Sequence, residues 1–398
     1  MKRLDRFEIK VPGTAIEDLK ARIKLTRWPD EVENAQWNYG TSLQYMRDLA
    51  HYWLEYFDWN KQVQYLNTFN QHQVRINDCS VHFVYEKGKG HNPIPIIISH
   101  GWPSSFTEML KIIPMLTNPL SYGGTVDDVF DVIVPSLPGF AFSSPRKNGH
   151  IRAHELWAKL MVDVLGYKRF LAQGTDVGAG VTSQLGRYFP ECVMGIHISS
   201  VDLLWPDPLP ETSQLSDVEI KYINNLFKWN DEENGYGHIQ GTRPQTLAYG
   251  LNDSPVGLAA WIIEKYYQWS DCNKNIESRF SKDELLTNIM IYWMTQTVNS
   301  SIRHYYYSKN KVNSPPPLKP GERIEAPTGV AMFPGEKDLI VPREFAERCY
   351  NIQHWTDMPS GGHFAALEEP ELLVKDIRQF AQTLKQKKRS TSGINTCQ

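Results

Sequence analysis

Nothing in this sequence supplies a long hydrophobic run. No stretch approaches the roughly 20 consecutive apolar residues that a membrane-spanning helix needs. The opening MKRLDRFEIKVPGTAIEDLK carries no apolar block behind its basic residues, so neither a secretory signal nor a membrane anchor is expected. Charge of one sign is lacking too. Against 45 Asp and Glu stand 42 Lys and Arg, a net charge of −3 that offers no global field to nucleic acid or an anionic membrane surface. Cysteine is scarce: Cys79, Cys192, Cys272, Cys349 and Cys397 are odd in number, scattered, and without CxxC or Cys/His ligand spacing. A disulfide framework and a zinc site are therefore not expected, and the expected setting is reduced and cytoplasmic. No fixed repeat period is present.

What is there is an ordinary globular composition, with 41% apolar and 22% charged positions in 398 residues, ample for a sizeable core. Residues 1–90 read as an N-terminal arm. Glu17, Leu19 and Ile23 share one helical stretch, Leu43 through Trp53 and Phe57 suggest another, and Val74 to Tyr85 alternates as paired strands. Four short apolar runs follow in residues 91–205: Ile94–Ile98, Asp131–Val134, Phe170–Gln173 and Gly195–Ile198. Helical patterns separate them at Ser105–Leu116 and His154–Leu165. Short apolar strands alternating with helices predict an α/β fold with a mostly parallel sheet covered on both faces. Residues 206–320 break that rhythm with Trp- and Tyr-rich helical segments and a Pro-rich exit, as expected for a helical lid inserted into one domain. The strand pattern resumes at Val330–Phe333 within residues 321–387, a helix is expected over Glu369–Leu384, and the basic, polar tail 388–398 is expected to be disordered.

Three loops after strands hold the informative residues, and active sites in open parallel sheets form where strands end. Gly174-Thr175-Asp176-Val177-Gly178 lies between a strand and a helix expected to begin near Thr182. This is the G-x-nucleophile-x-G elbow with Asp in place of Ser, and a carboxylate at a helix N-terminus stays ionised. Alone it is equally an N-cap Asp or a phosphate-binding turn. His100-Gly101-Trp102-Pro103 follows another strand. In this architecture the backbone N–H of Trp102, with that of Val177, would form an oxyanion hole. Gly361-Gly362-His363 comes late in the chain, before a helix. A lone His is more often structural, but the order nucleophile, acid, base matches the α/β-hydrolase order. The acid should then fall within Pro334-Gly335-Glu336-Lys337-Asp338.

Taken in order, HGWPSS, PSLPGFAFSS, GTDVGAG, FPGE and GGHFAALEEP resemble the microsomal-type epoxide hydrolases of the α/β-hydrolase superfamily, over nearly the whole chain. The resemblance implies an α/β-hydrolase fold with a helical lid and an N-terminal arm, hydrolysis of an epoxide, and two lid tyrosines holding the epoxide oxygen. Gly235-Tyr236-Gly237 resembles the first tyrosine site and Arg303-His304-Tyr305 the second, giving Tyr236 and Tyr305, with Tyr306 and Tyr307 adjacent and open to a slip of one. For the acid, the family's F-P-x-[Glu/Asp] pattern selects Glu336, which is preferred. A Glu-Lys-Asp pattern of other epoxide hydrolases selects Asp338.

An Asp nucleophile can displace at sp³ carbon without its own general base and leaves an ester. Asp176 would open the ring, Tyr236 and Tyr305 would hydrogen-bond the departing oxygen, and His363, oriented by Glu336 or Asp338, would deprotonate water to release a vicinal diol. Neither metal nor organic cofactor is required. The expected partners are a small apolar epoxide and water, and a homodimer is left open. A haloalkane or haloacid dehalogenase, sharing the Asp and the His, is the competing expectation, but it would hold its halide with N–H donors. Lid tryptophans Trp229, Trp261, Trp269 and Trp293 suggest an apolar pocket, and detoxification is the expected role.

Overall fold

A computed structural model describes residues 4–10, 12–147, 152–201 and 211–393, with the backbone alone for 212, 337, 338 and 388–393. Among these residues nine strands form one sheet: β1 (Asp5–Arg6), β2 (Gln71–Ile76), β3 (Cys79–Glu86), β4 (Ile94–Ser99), β5 (Phe130–Pro135), β6 (Phe170–Gly174), β7 (Val193–Ile198), β8 (Ile324–Met332) and β9 (Tyr350–Asp357). Their order is β1-β2-β3-β5-β4-β6-β7-β8-β9. The β1–β2, β2–β3 and β3–β5 pairs are antiparallel, and every later pair is parallel. β5 and β6 are buried at every position, which is why they read as unbroken apolar runs rather than alternating ones. Helices Ala153–Lys159 and Val177–Tyr188 pack together, as do Ile112–Thr117 and Pro370–Gly393. The connection β4–β5 runs opposite in direction to β5–β6, so right-handed crossovers put the two helix pairs on opposite faces. The chain thus reverses around β4, and the crevice of that reversal lies at the carboxyl ends of β4 and β6.

Between β7 and β8 the chain leaves the sheet. Residues 202–210, which include the expected lid boundary at 206, lie outside the described residues. Helices Asp217–Glu232, Gly235–Thr242, Pro244–Asp253, Pro255–Trp269, Lys282–Thr295 and Val298–Lys309 follow. Two of them start at capping boxes. Ser216 with Glu219, and Ser281 with Glu284, form reciprocal capping boxes that satisfy the first orphan N–H groups. The N-terminal helices Gly13–Lys24 and Leu43–Glu55 grip this layer: Arg22 pairs with Asp253 at 2.6 Å, and Tyr52 donates to Asp283 at 2.9 Å. Thr41, just ahead of the second helix, donates to the Ala260 carbonyl at 2.8 Å. Trp37 stacks on Tyr267 with ring centres 3.8 Å apart. The arm therefore braces the helix Pro255–Trp269, which reaches the site.

Three expectations need correction. The helix after the elbow begins at Val177 rather than near Thr182. Gly178, Ala179 and Gly180 are poor or small helix formers, but a Cβ on Gly178 would lie 2.1 Å from the Ser99 carbonyl oxygen, so the close strand–helix approach demands glycine there. The final helix runs from Pro370 to Gly393, so the tail expected to be disordered from 388 is helical through 393, while 394–398 lie outside the described residues. Lys387, Lys388 and Arg389 are good helix formers, which suits the continuation. Finally, β9 was not expected. As an edge strand of mixed polarity it is mostly half-buried, and YNIQHWTD offers no apolar run. No described helix is long and apolar enough to cross a membrane.

Candidate active site

Asp176 stands at the tip of the turn between β6 and the helix Val177–Tyr188, with φ 50° and ψ −129°. Non-glycine residues rarely adopt positive φ, and such strain persists only where surrounding structure enforces it. Here the enforcement is visible. A Cβ at position 101 would lie 2.2 Å from Asp176 Oδ1, so Gly101 lets the β4 loop close over the carboxylate. The Trp102 N–H then donates to Oδ1 at 2.7 Å, and the Val177 amide is hydrogen-bonded to the same carboxylate. His100 holds this loop from below: its Nδ1 lies 3.0 Å from the Gly101 carbonyl, and its Nε2 accepts the Leu137 N–H at 3.2 Å. Burial pushes its imidazole down to about 4, consistent with a neutral ring that can both donate and accept.

His363 Nε2 faces Asp176 Oδ2 at 3.5 Å, and His363 Nδ1 donates to Glu336 Oε1 at 2.9 Å. Glu336 follows β8, and Ser200 Oγ also approaches its Oε1 at 3.4 Å. The side chain of Asp338, the other acid considered, lies outside the described residues. Burial pushes the Asp176 carboxyl up, but His363 and the two amides outweigh it and hold the acid below its ordinary range. Burial likewise pushes the His363 imidazole down, and the flanking Glu336 and Asp176 outweigh it, raising it well above its ordinary value. The two carboxylates thus favour the imidazolium form of His363.

The lid places Tyr236 and Tyr305 above this pair. Their rings meet edge to face at 5.8 Å, and both pack on Trp102, Tyr236 parallel at 5.4 Å and Tyr305 on edge at 5.7 Å. The two hydroxyls are hydrogen-bonded to each other. Burial, joined by the Asp176 charge, raises both phenols. Tyr306, the next residue, is 38% exposed. Of the four lid tryptophans, Trp269 reaches the site, lying 4.9 Å from the His363 ring and 5.1 Å from Tyr236. Its carbonyl accepts the His363 N–H at 2.9 Å. Trp261 instead donates to Gln240, and Trp293 lies beneath Arg22.

Several supporting groups were not singled out from sequence. Asn288 donates to the Pro103 carbonyl at 2.8 Å and Tyr292 to the Ser104 carbonyl at 2.7 Å, so the lid helix Lys282–Thr295 fixes the loop that carries the Trp102 amide. Glu108 hydrogen-bonds Ser104 and is pushed up to about 7 by burial, as is Glu368, which caps the Phe364 and Asp271 amides. The S-S-x-x-E spacing from Ser104 to Glu108 was the available signal for the first. Asn288 and Tyr292 had none, since only the tertiary fold brings them to the loop.

Comparison with known proteins agrees with this geometry. Residues 4–109 match the family described as "Epoxide hydrolase N terminus", and residues 94–370 match "alpha/beta hydrolase fold". The chain is 40% identical over 385 residues to a putative epoxide hydrolase of Stigmatella aurantiaca (strain DW4/3-1), spanning 96% of this chain and 85% of the relative. It is 36% identical over 404 residues to epoxide hydrolase 1 of Oryctolagus cuniculus, spanning 94% and 88%. Among solved structures, the Aspergillus niger epoxide hydrolase superposes with a TM-score of 0.82 at 27% identity, covering 96% of this chain and 97% of that one. The juvenile hormone epoxide hydrolase of Bombyx mori gives 0.81 at 28%, covering 96% and 94%. With an α/β-hydrolase core preceded by the epoxide hydrolase N-terminal segment, and with such relatives matching nearly its full length, the chain belongs to the microsomal-type epoxide hydrolases.

Proposed function

We propose that this protein converts an apolar epoxide to a vicinal diol through an ester on Asp176, with residues 206–320 acting as the lid that supplies the electrophilic tyrosines. The observation that carries this is the division of labour between the two Asp176 oxygens. Oδ1 accepts the Trp102 amide and the Val177 amide bonds the same carboxylate, while Oδ2 faces His363 beneath the lid. Oδ2 attacks a ring carbon, the carbon–oxygen bond breaks, and the Tyr236 and Tyr305 hydroxyls stabilise the developing alkoxide. Asp176 thereby loses its charge, and the imidazolium loses one of its two anionic supports. With the proton no longer held as strongly, the imidazolium gives it up through the tyrosine hydroxyls to the alkoxide, and neutral His363 then acts as base towards water. Hydroxide then adds to the ester carbonyl, and its oxyanion falls where Oδ1 already accepts the Trp102 amide, with the Val177 amide also on this carboxyl group.

Trp102 and Trp269 around the tyrosines suit an apolar substrate. Halide displacement by the same carboxylate is the weaker reading, because the lid brings two paired phenols to Trp102 and the relatives similar to this chain along nearly its full length are epoxide hydrolases. The test is a His363→Gln variant given an aryl epoxide. Intact mass should rise by one substrate per chain, with little diol formed. A folded variant that accumulates no adduct would place His363 in another step.

A further inference from the structure

An ammonium loses its water on burial, so buried lysines are uncommon and need a compensating partner. Lys265, in the lid helix Pro255–Trp269, is only 6% exposed. Its Nζ lies 4.6 Å from the centre of the Tyr236 ring and 5.4 Å from that of Trp269, and it pairs with the adjacent Glu264 at 2.5 Å. Lys265 and Trp269 are one helical turn apart and so share a face, and that face is the one turned to Tyr236 and His363. We propose that Lys265 is a positioning residue for ring opening: its charge over the Tyr236 ring stabilises the phenolate and makes Tyr236, rather than Tyr305, the proton donor to the epoxide oxygen. This rests on the assignment of Tyr236 and Tyr305 as the electrophilic pair.

A cation over a phenol ring is attracted by the ring quadrupole. Once the proton leaves, the ring system carries a full negative charge, and the same contact becomes a charge–charge attraction in a partly dehydrated site. The interaction is therefore stronger after proton transfer than before, which is the condition for speeding a step rather than merely binding substrate. No Lys or Arg among the described residues lies over the Tyr305 ring, which meets Trp102, Tyr236 and His304. The charged and titratable groups acting on Tyr236 are Asp176 from the elbow, Glu336 from the loop after β8, Glu264 and Lys265 from the lid helix, and Tyr305. Asp176, Glu336 and Glu264 oppose phenolate formation, and Lys265 offsets them. In the balanced step, Asp176 Oδ2 bonds to carbon, the ring carbon–oxygen bond breaks onto oxygen, and that oxygen takes the Tyr236 proton. The negative charge moves from Asp176 to Tyr236, which recovers a proton from the His363 imidazolium by way of water.

The test measures alkylation and ester hydrolysis separately, in single turnover of an aryl epoxide, for Lys265→Met, Lys265→Arg and Glu264→Gln, each in the wild-type and Tyr236→Phe backgrounds. Lys265→Met should slow alkylation about ten-fold, the scale of a desolvated cation–ring contact, and leave ester hydrolysis unchanged. Lys265→Arg should restore most of the loss, and Glu264→Gln should speed alkylation. In the Tyr236→Phe background the Lys265→Met effect should vanish. An equal loss in that background, or no rescue by arginine, would overturn the proposal. Should Lys265→Met fail to fold, slower alkylation by Glu264→Gln overturns it independently. If Tyr236→Phe alone leaves alkylation unchanged, the assignment of Tyr236 itself fails.

Discussion

Replacing Asp176 with Asn removes one charge and little else. In the wild type the His363 imidazole has a carboxylate oxygen on each side, Glu336 Oε1 at 2.9 Å and Asp176 Oδ2 at 3.5 Å. Two unit charges about 4 Å apart near a protein surface interact by about 4 kcal/mol. The Asp176→Asn imidazole should therefore titrate well below the wild-type imidazole, still supported by Glu336. In the proposed reaction the same change in charge occurs when Asp176 becomes an ester, so the variant imitates the state in which His363 would act as base. The assay is a pH titration of the His363 ring resonances in both proteins by NMR. Equal values would refute the charge-switch account, because His363 would then owe its protonation to Glu336 alone. The sign also fixes a stability window. A raised imidazole contributes fully below its unfolded value near 6.5, and a depressed carboxyl contributes fully above its unfolded value near 4. The pair thus stabilises most between those limits, fading as pH rises through the folded His363 value or falls through that of Asp176.

Glu336→Gln should let ester accumulate, slowing hydrolysis more than alkylation, because Glu336 fixes the tautomer and supports the imidazolium. Asp338→Asn should stay near wild type in the same single-turnover assay, and the reverse pattern would move the role to Asp338. On the far side of the sheet, Asp376 accepts from His197 and His354 at 2.8 Å each and from Thr356, joining β7 and β9 to the final helix. Burial pushes this carboxyl up, but those hydrogen bonds outweigh it and hold it well below the usual range. It therefore contributes stability above its unfolded value near 4 that is lost as pH falls further. Asp376→Asn should cost about 3 kcal/mol in neutral urea unfolding and progressively less in acid; a pH-independent cost would rule out the charge as its source.

Much of the fold was legible because buried parallel strands write themselves as unbroken apolar runs, as Ile94–Ser99 and Phe170–Gly174 do. The amphipathic edge strand Tyr350–Asp357 was invisible for the converse reason. Asp176 and His363 announce themselves through the glycines around them, whose absence of Cβ is what lets the backbone approach so closely. The lid is different. Nothing local distinguishes Tyr236 and Tyr305 from the other tyrosines, and they were picked out by family resemblance alone. Lys265 looks like an ordinary helix-surface lysine until the tertiary fold lays its helix against the site. Helix starts depend on the same kind of contact, which is why the start at Val177 was placed too late.

In the proposed reaction water attacks the Asp176 ester and not the epoxide. Single turnover in heavy-oxygen water, with enzyme in excess over an aryl epoxide, tests it most directly. Hydrolysis at the ester carbonyl leaves the label in the carboxylate, so the peptide containing Asp176 should gain mass while the first diol stays unlabelled. Label in the first diol, with an unchanged Asp176 peptide, would contradict the account and point to direct attack of activated water on the ring.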